Sequence, residues 1–245
     1  MQAGVELALE WGLGAAAAAG LAVGGFAYAS LWPGSRLFGR ALVAPRQPGD
    51  LALTFDDGPN AAWTPRLLDR LAAEGVVANL FVMGEHADRE PALVRRAQAE
   101  GHLLGVHSWS HPNLACSPER VIREELRQSR ELLEQVLGEP VRFFRPPFGA
   151  RRPAVFRIAR EMGLTTVLWN AMTNDWAEPD AARIVERLSA KIDRLTARGW
   201  AANVVLHDGG HLDPAANREP SVTAAARLAA RYKATHRFVR LDAWA

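Results

Sequence analysis

Asp56 and Asp57 stand side by side in LTFDDGPN, where an apolar run breaks into a Gly-Pro turn. Adjacent carboxylates repel, and burying either one uncompensated costs several kcal/mol. Each therefore needs its own partner. His107 and His111, four residues apart in HSWSHPNL, offer one kind. A helical turn at that spacing would bring both imidazoles to one side. Two histidines and one carboxylate make a three-ligand site for a divalent metal, with a position open for water. That is the pattern of a catalytic centre, since structural zinc sites are normally closed by four protein ligands. The other carboxylate then stays free beside a cation, and Arg145, which opens RPPFG, is the candidate. Two further clusters carry polar groups: WNAMTNDW with Asp175 and Trp176, and LHDGG with His207 and Asp208. Taken singly, each stretch has a bland reading, such as an Asx turn before Gly-Pro or a loop arginine. Five of them at the ends of five apolar runs are hard to explain as packing.

Those runs are the elements that must position the chemistry. Segments 51–55, 76–83, 103–106, 141–144, 164–169, 202–206 and 237–241 read as strands. Amphipathic stretches lie between most of them, clearest at 65–74, 118–137, 153–162 and 181–198. Thr64-Pro65 and Ser117-Pro118 look like caps followed by a first-turn proline. Gly75, Gly101, Gly138, Gly163 and Gly199 each follow a helical run, where a left-handed residue belongs. Strands alternating with helices predict an α/β fold with a parallel sheet. About seven strands predict a closed or nearly closed barrel, with its chemistry at the C-terminal strand ends.

The chain has 245 residues, 49% of them apolar, which suits one core plus an N-terminal extra. Its formal net charge is +2, and no basic stripe with interleaved aromatics is present, so nucleic acid is not an expected partner. A single cysteine, Cys116, excludes an internal disulfide and reads as a buried or half-buried thiol. Residues 11–32 carry no charge and are long enough to cross a bilayer as a helix. Trp11, Tyr28 and Trp32 sit near the ends of this run as interface anchors would. Residues 1–32 therefore read as a membrane anchor, 33–49 as a linker and 50–245 as the catalytic domain. Arg36, Arg40 and Arg46 follow the run, a bias that favours the cytoplasmic face for what comes after.

From residue 51 to about 241 the chain resembles the polysaccharide deacetylase family, the NodB-type carbohydrate esterases of family 4. Five motifs match in order: TFDDGP, HSWSHP, RPPFG, the stretch around NDW, and LHD. The resemblance implies a distorted (β/α) barrel that removes N-acetyl groups from an amino-sugar glycan, such as peptidoglycan or a chitooligosaccharide. It implies that Asp57, His107 and His111 hold a divalent metal, usually zinc, with cobalt or nickel able to serve. By the same resemblance Asp56 is the catalytic base, Arg145 orients it, and His207 is the general acid held by Asp175. Trp176 would wall the sugar pocket. The family's cell-wall substrates favour the outer membrane face, which is the expectation adopted here against the arginine bias.

Three positions depart from the family pattern. Phe148 replaces a tyrosine whose backbone N–H serves as oxyanion donor, a role any residue with that N–H fills. Val205 replaces a leucine in the pocket for the acetyl methyl. Met172 stands where many relatives carry an aspartate, removing a polar group near the pocket rim. Elsewhere, His102 reads as a structural histidine, and His86 and His236 as surface groups. Trp109 and Trp169 read as barrel packing, while Trp63 and His211 are left open. Two other functions stay in view: a deformylase or O-acetyl esterase acting on a lipid-linked sugar or xylan, and a silent sugar-binding module on an anchor.

Overall fold

The computed structural model describes residue 20 and residues 23–245. In chain order the elements are β1 (Asp50–Gly58), α1 (Thr64–Glu74), β2 (Asn79–Val82), α2 (Gly84–Arg89), α3 (Pro91–Ala99), β3 (Leu103–Val106) and α4 (Glu119–Leu137). There follow β4 (Phe143–Phe144), α5 (Pro153–Glu161), β5 (Thr165–Thr166), β6 (Ala171–Met172), α6 (Ala181–Ala197), β7 (Ala202–His207), α7 (Glu219–Tyr232) and β8 (Arg237–Phe238).

Every residue of β1 is buried, as expected of a central strand covered on both faces. It pairs in parallel with β2 on one side and β7 on the other. The sheet runs β5-β4-β3-β2-β1-β7-β6, with β8 joined to the start of β1, and all its pairings are parallel. It curls into the distorted (β/α) barrel anticipated from the alternation.

Side-chain parity then assigns the two cores. Leu51, Leu53 and Phe55 on β1, with Val204 and Leu206 on β7, pack outward against the helices. Ala52 and Phe81 face inward with Phe143, Val167 and Leu241. Because strand residues alternate, Thr54 and Asp56 share the inner face of β1 with Ala52. Asn203, Val205 and His207 share that of β7. The sequence period thus turns three site residues, Asp56, Val205 and His207, toward the inside of the barrel.

Several boundaries differ from the sequence reading. Residues 76–78 precede β2; of the run at 164–169 only Thr165–Thr166 forms a named strand, β5, and a separate β6 follows at Ala171–Met172, so the Asp175 cluster follows β6. Helices α2, α3 and α7 carry a weaker sequence signal, because α2 and α3 are short and α7 is rich in alanine. The five helix-end glycines are all left-handed, with φ from 68° to 87°. Neither proposed cap acts as one. The Thr64 hydroxyl accepts from the Asn60 N–H and donates to Asp208, and the Ser117 hydroxyl donates to the Asn113 carbonyl. Cys116 is exposed, because its neighbours Leu114 and Ala115 take the inward positions of that turn.

Most of the anchor expected at 11–32 lies outside the described residues. Residues 23–31 are helical, and among the described residues no helix is long and apolar enough to cross a membrane. The stretch expected as a linker is stitched into the barrel. Leu42 exchanges backbone hydrogen bonds with Thr166 and Leu168 at the β5 edge. The Val43 carbonyl accepts from Asn203, and the Pro45 carbonyl from the Ala201 N–H beside β7. Residues 42–45 therefore bridge the seam between the two ends of the sheet. A short apolar run among prolines satisfies an open strand edge there.

Candidate active site

Asp56 ends the regular part of β1 and Asp57 breaks it. Asp57 has φ 67°, and the register with β2 shifts between Asp56 and Gly58. A left-handed bulge re-aims the chain, so two consecutive carboxylates line one cavity. The break is supported by close backbone packing. A Cβ on Gly209 would lie 1.9 Å from the Asp57 carbonyl oxygen, and one on Gly58 2.5 Å from the Asp208 carboxylate. Burial pushes Asp208 up to about 7, and the charges of Asp57 and Asp56 push the same way against the Thr64 hydrogen bond.

Asp57 Oδ1 lies 3.3 Å from His107 Nε2 and 3.2 Å from His111 Nε2, with all three residues buried. Two ligand atoms ~2.0–2.1 Å from one tetrahedral ion lie about 3.3–3.4 Å apart. Asp57 Oδ1 is buried and makes no hydrogen bond among the described residues. His107 Nδ1 donates to the Arg145 carbonyl at 2.8 Å, which fixes the tautomer that leaves Nε2 free. Burial, reinforced by His107 and His211, lowers the His111 pKa and keeps it neutral, the form that binds metal. Burial opposes ionisation of Asp57, yet His107, His111 and His211 hold its carboxyl well below the usual range. Donor set, spacing and an orphaned buried oxygen all fit a divalent ion.

The two histidines do not meet across a helical turn. Residues 107–111 form a loop in which Ser108 and His111 have φ 64° and 62°. Glu125 on α4 holds that loop, accepting from the N–H groups of Trp109 and Ser110 at 2.8 Å each and from the Ser110 hydroxyl at 2.7 Å. Nothing local in the sequence marks Glu125.

Asp56 Oδ1 accepts from Arg145 Nη1 at 2.8 Å. Arg145 is fully buried inside the barrel, its guanidinium 4.2 Å over the Phe81 ring and also bonded to the Thr54 hydroxyl. Burial lowers its pKa while Asp56 raises it. Across the mouth, Asp175 accepts from His207 twice: from Nδ1 at 3.0 Å and from the backbone N–H at 2.8 Å. Ser221 on α7 donates to the same carboxylate at 2.7 Å. Burial would lower the His207 pKa, but Asp175, with help from Asp57 and Asp56, raises it to about 9.

Asp56, Asp57, His107, His111 and His207 line one cavity of about 410 Å³, with Arg145 and Asp175 buried behind Asp56 and His207. Val205 is buried in its floor, Phe148 and Trp176 are half-exposed at its edge, and Met172 also lines it. The Trp176 ring stands edge-on to His207 at 5.0 Å, and the Phe148 ring edge-on to His111 at 4.6 Å. A larger groove of about 850 Å³ beside Arg40, Arg152 and Phe156 holds none of these residues, so the chemistry singles out the smaller cavity.

The predicted site residues thus gather in one region, with Arg145 and Asp175 behind the cavity wall and the others lining it. His86 and Trp169 change reading, and the two left open, His211 and Trp63, gain one. His86 is buried, with Nδ1 2.9 Å from the Asp57 carbonyl, and is no surface group. Trp169 lines the cavity as well as packing near Arg145. His211 stacks on His111 at 4.1 Å, with Nδ1 3.4 Å from Asp57 Oδ2. Trp63 packs partly buried against the helix-side core, under Arg66. His102 is structural as read, buried with Nδ1 accepting from the Ala78 N–H.

Comparison with known proteins agrees with this geometry. The sequence model described as polysaccharide deacetylase matches residues 44–167. A peptidoglycan-N-acetylglucosamine deacetylase of Bacillus cereus is 34% identical over 81% of this chain and 89% of its own length. The chain belongs to the polysaccharide deacetylase family. That membership makes it a hydrolase of the deacetylase type. A second Bacillus cereus peptidoglycan-N-acetylglucosamine deacetylase is 34% identical over 70% of this chain, which spans only 61% of that protein. A chitooligosaccharide deacetylase of Sinorhizobium fredii is 36% identical over 72% of this chain and 82% of its own. Among solved structures, a peptidoglycan N-acetylglucosamine deacetylase superposes with TM-score 0.73 at 32% identity, covering 83% of this chain and 91% of that one. A family 4 carbohydrate esterase from Streptomyces lividans, solved with acetate, gives 0.65 at 28% identity over 76% and 88%.

Proposed function

We propose that this chain removes N-acetyl groups from an amino-sugar glycan of the peptidoglycan or chitooligosaccharide type by metal-assisted hydrolysis. The observation that carries the reading is the Asp57–His107–His111 cluster, which shares one cavity with Asp56 and His207, themselves held from behind by Arg145 and Asp175. A divalent ion held by the three ligands, zinc by preference with cobalt or nickel as substitutes, supplies Lewis acidity to water and to the amide carbonyl. Asp56, oriented by Arg145, takes a proton from the attacking water. The Phe148 backbone N–H stabilises charge on the carbonyl oxygen. His207, kept protonated by Asp175, gives its proton to the departing amine. Acetate and a free amino sugar leave. The relatives' named substrates support the glycan class, and Val205 supplies an apolar wall for the acetyl methyl.

We further infer that residues 11–32 anchor the barrel to a membrane with the site on the outer face. Support comes from the uncharged run itself and from the exposed side chains of Val23, Phe26, Leu31 and Trp32. That proximity favours nascent cell-wall glycan or a lipid-linked amino sugar over a distant polymer. The test is acetate and formate release from peptidoglycan, chitooligosaccharides, acetylxylan and polyprenyl-linked amino sugars. Acetate from the first two supports the reading. Formate from the lipid-linked sugar, or acetate from xylan alone, replaces it. An alkaline phosphatase fusion at Ala245 that stays inactive in cells reverses the assigned face.

A further inference from the structure

Arg151 is fully buried, and the only influence shifting its pKa is burial, which lowers it. Among the described residues its partners are backbone carbonyls. Nη1 donates to Ser30 at 2.8 Å and Gly149 at 3.1 Å, and Nη2 to Trp32 at 2.6 Å and Ser35 at 3.4 Å. Its own N–H also donates to the Ser30 carbonyl, at 3.1 Å. Three of these acceptors lie at or just past the end of the 23–31 helix, where carbonyls lack helical partners and the dipole is negative. The fourth belongs to the turn that carries Phe148.

That turn is conformationally demanding. Phe148 has φ 58° and Gly149 φ 65°, and a Cβ on Gly149 would meet Trp169 at 2.9 Å. A side chain in the left-handed region persists only where its surroundings hold it. On the cavity side, His111 and Trp169 pack against the turn. On the other side Arg151 ties it to residues 30–35. Among the described residues no carboxylate meets the Arg151 guanidinium, and a buried cation without a counter-charge is expensive.

We propose that Arg151 is a positioning residue for deacetylation. It locks the Phe148 turn onto the carbonyl end of the N-terminal helix, so residues 30–35 help aim the Phe148 backbone N–H. The stretch leading to the membrane then sets the turnover rate as well as the location. This rests on the deacetylase reading above.

The test uses the full chain loaded with zinc, comparing wild type with Arg151→Lys and Arg151→Gln. Lysine keeps the charge but lacks the planar fork that bridges several carbonyls. Expected for Arg151→Lys are a kcat lowered about tenfold, an unchanged KM, wild-type zinc content, an unmoved pH profile and faster hydrogen exchange at 148–150. Arg151→Gln should show the same pattern more strongly. A wild-type kcat in Arg151→Lys overturns the proposal, as does a kcat loss that only tracks zinc loss or melting. If the wild type releases no acetate, the deacetylase reading fails instead. Exchange at 148–150 still decides the clamp: acceleration supports it and unchanged protection removes it.

Discussion

Arg145 joins His107 to Asp56: its carbonyl accepts the His107 Nδ1 proton and its guanidinium holds the Asp56 carboxylate, each at 2.8 Å. The proposed ligand and the proposed base are thus set by one residue through two different parts of it. Only the second part depends on the side chain. Arg145→Lys should therefore keep the metal and lose turnover, by tenfold or more, because a lysine gives Asp56 a point charge without the guanidinium's fixed geometry. Arg145→Ala should also destabilise the fold by about 3–5 kcal/mol, the usual cost of orphaning one partner of a buried ion pair. Metal content, kcat and chemical denaturation separate the two effects. Loss of metal in Arg145→Lys would place the guanidinium, and not the carbonyl, in control of His107.

The two aspartates should separate cleanly. Asp56→Asn is nearly isosteric and touches no ligand atom, so metal content should hold while kcat falls by roughly 10²-fold or more. Asp57→Asn, like His107→Ala and His111→Ala, should lose the metal. Metal analysis beside acetate release reads this directly. If Asp56→Asn is the variant that loses metal, the base and the ligand are exchanged.

The pH profile follows from Asp175. A histidine raised from 6.5 to about 9 is protonated, and competent as an acid, through neutral pH. Its folded pKa lies above its unfolded one, so its contribution to stability is complete below about 6.5 and is lost as pH rises through about 9. Turnover should fall over the same alkaline limb. Asp175→Asn removes the charge that raises the pKa, and should move that limb to lower pH and lower kcat. A limb that stays in place would mean that another group titrates there.

The sequence made the site legible because its chemistry lies in short motifs at strand ends. Parity alone sends Asp56, Val205 and His207 inward. What it hid was backbone conformation. The left-handed residues at Asp57, Ser108 and His111 are not glycines, so nothing in local propensity announces them, and the His107–His111 spacing was readable as a helical turn. Long-range partners were equally silent. His86 bonds the Asp57 carbonyl from a short helix, and residues 42–45 close the barrel seam with almost no strand signal. Tertiary hydrogen bonds, which leave no period in the sequence, decide all of these.

Glu125 is the most testable of the hidden partners. It sits on α4, away from any motif, yet its carboxylate takes three hydrogen bonds from Trp109 and Ser110. Those residues are the arch between His107 and His111, the two histidines proposed to bind metal. The Ser108 hydroxyl, which accepts from the His111 N–H, belongs to the same arch. Glu125→Ala frees two backbone N–H groups and lets a loop with two left-handed residues relax. His111 should then wander while His107, tied to Arg145, stays in place. Losses of this outer kind usually cost 10–100-fold in metal affinity. Zinc affinity by competition with a chelator should fall by that factor. With zinc in excess, kcat should recover to near wild type, since Asp56 and His207 are untouched. Unchanged affinity would show that Asp57 and His107 hold the ion without help from the loop.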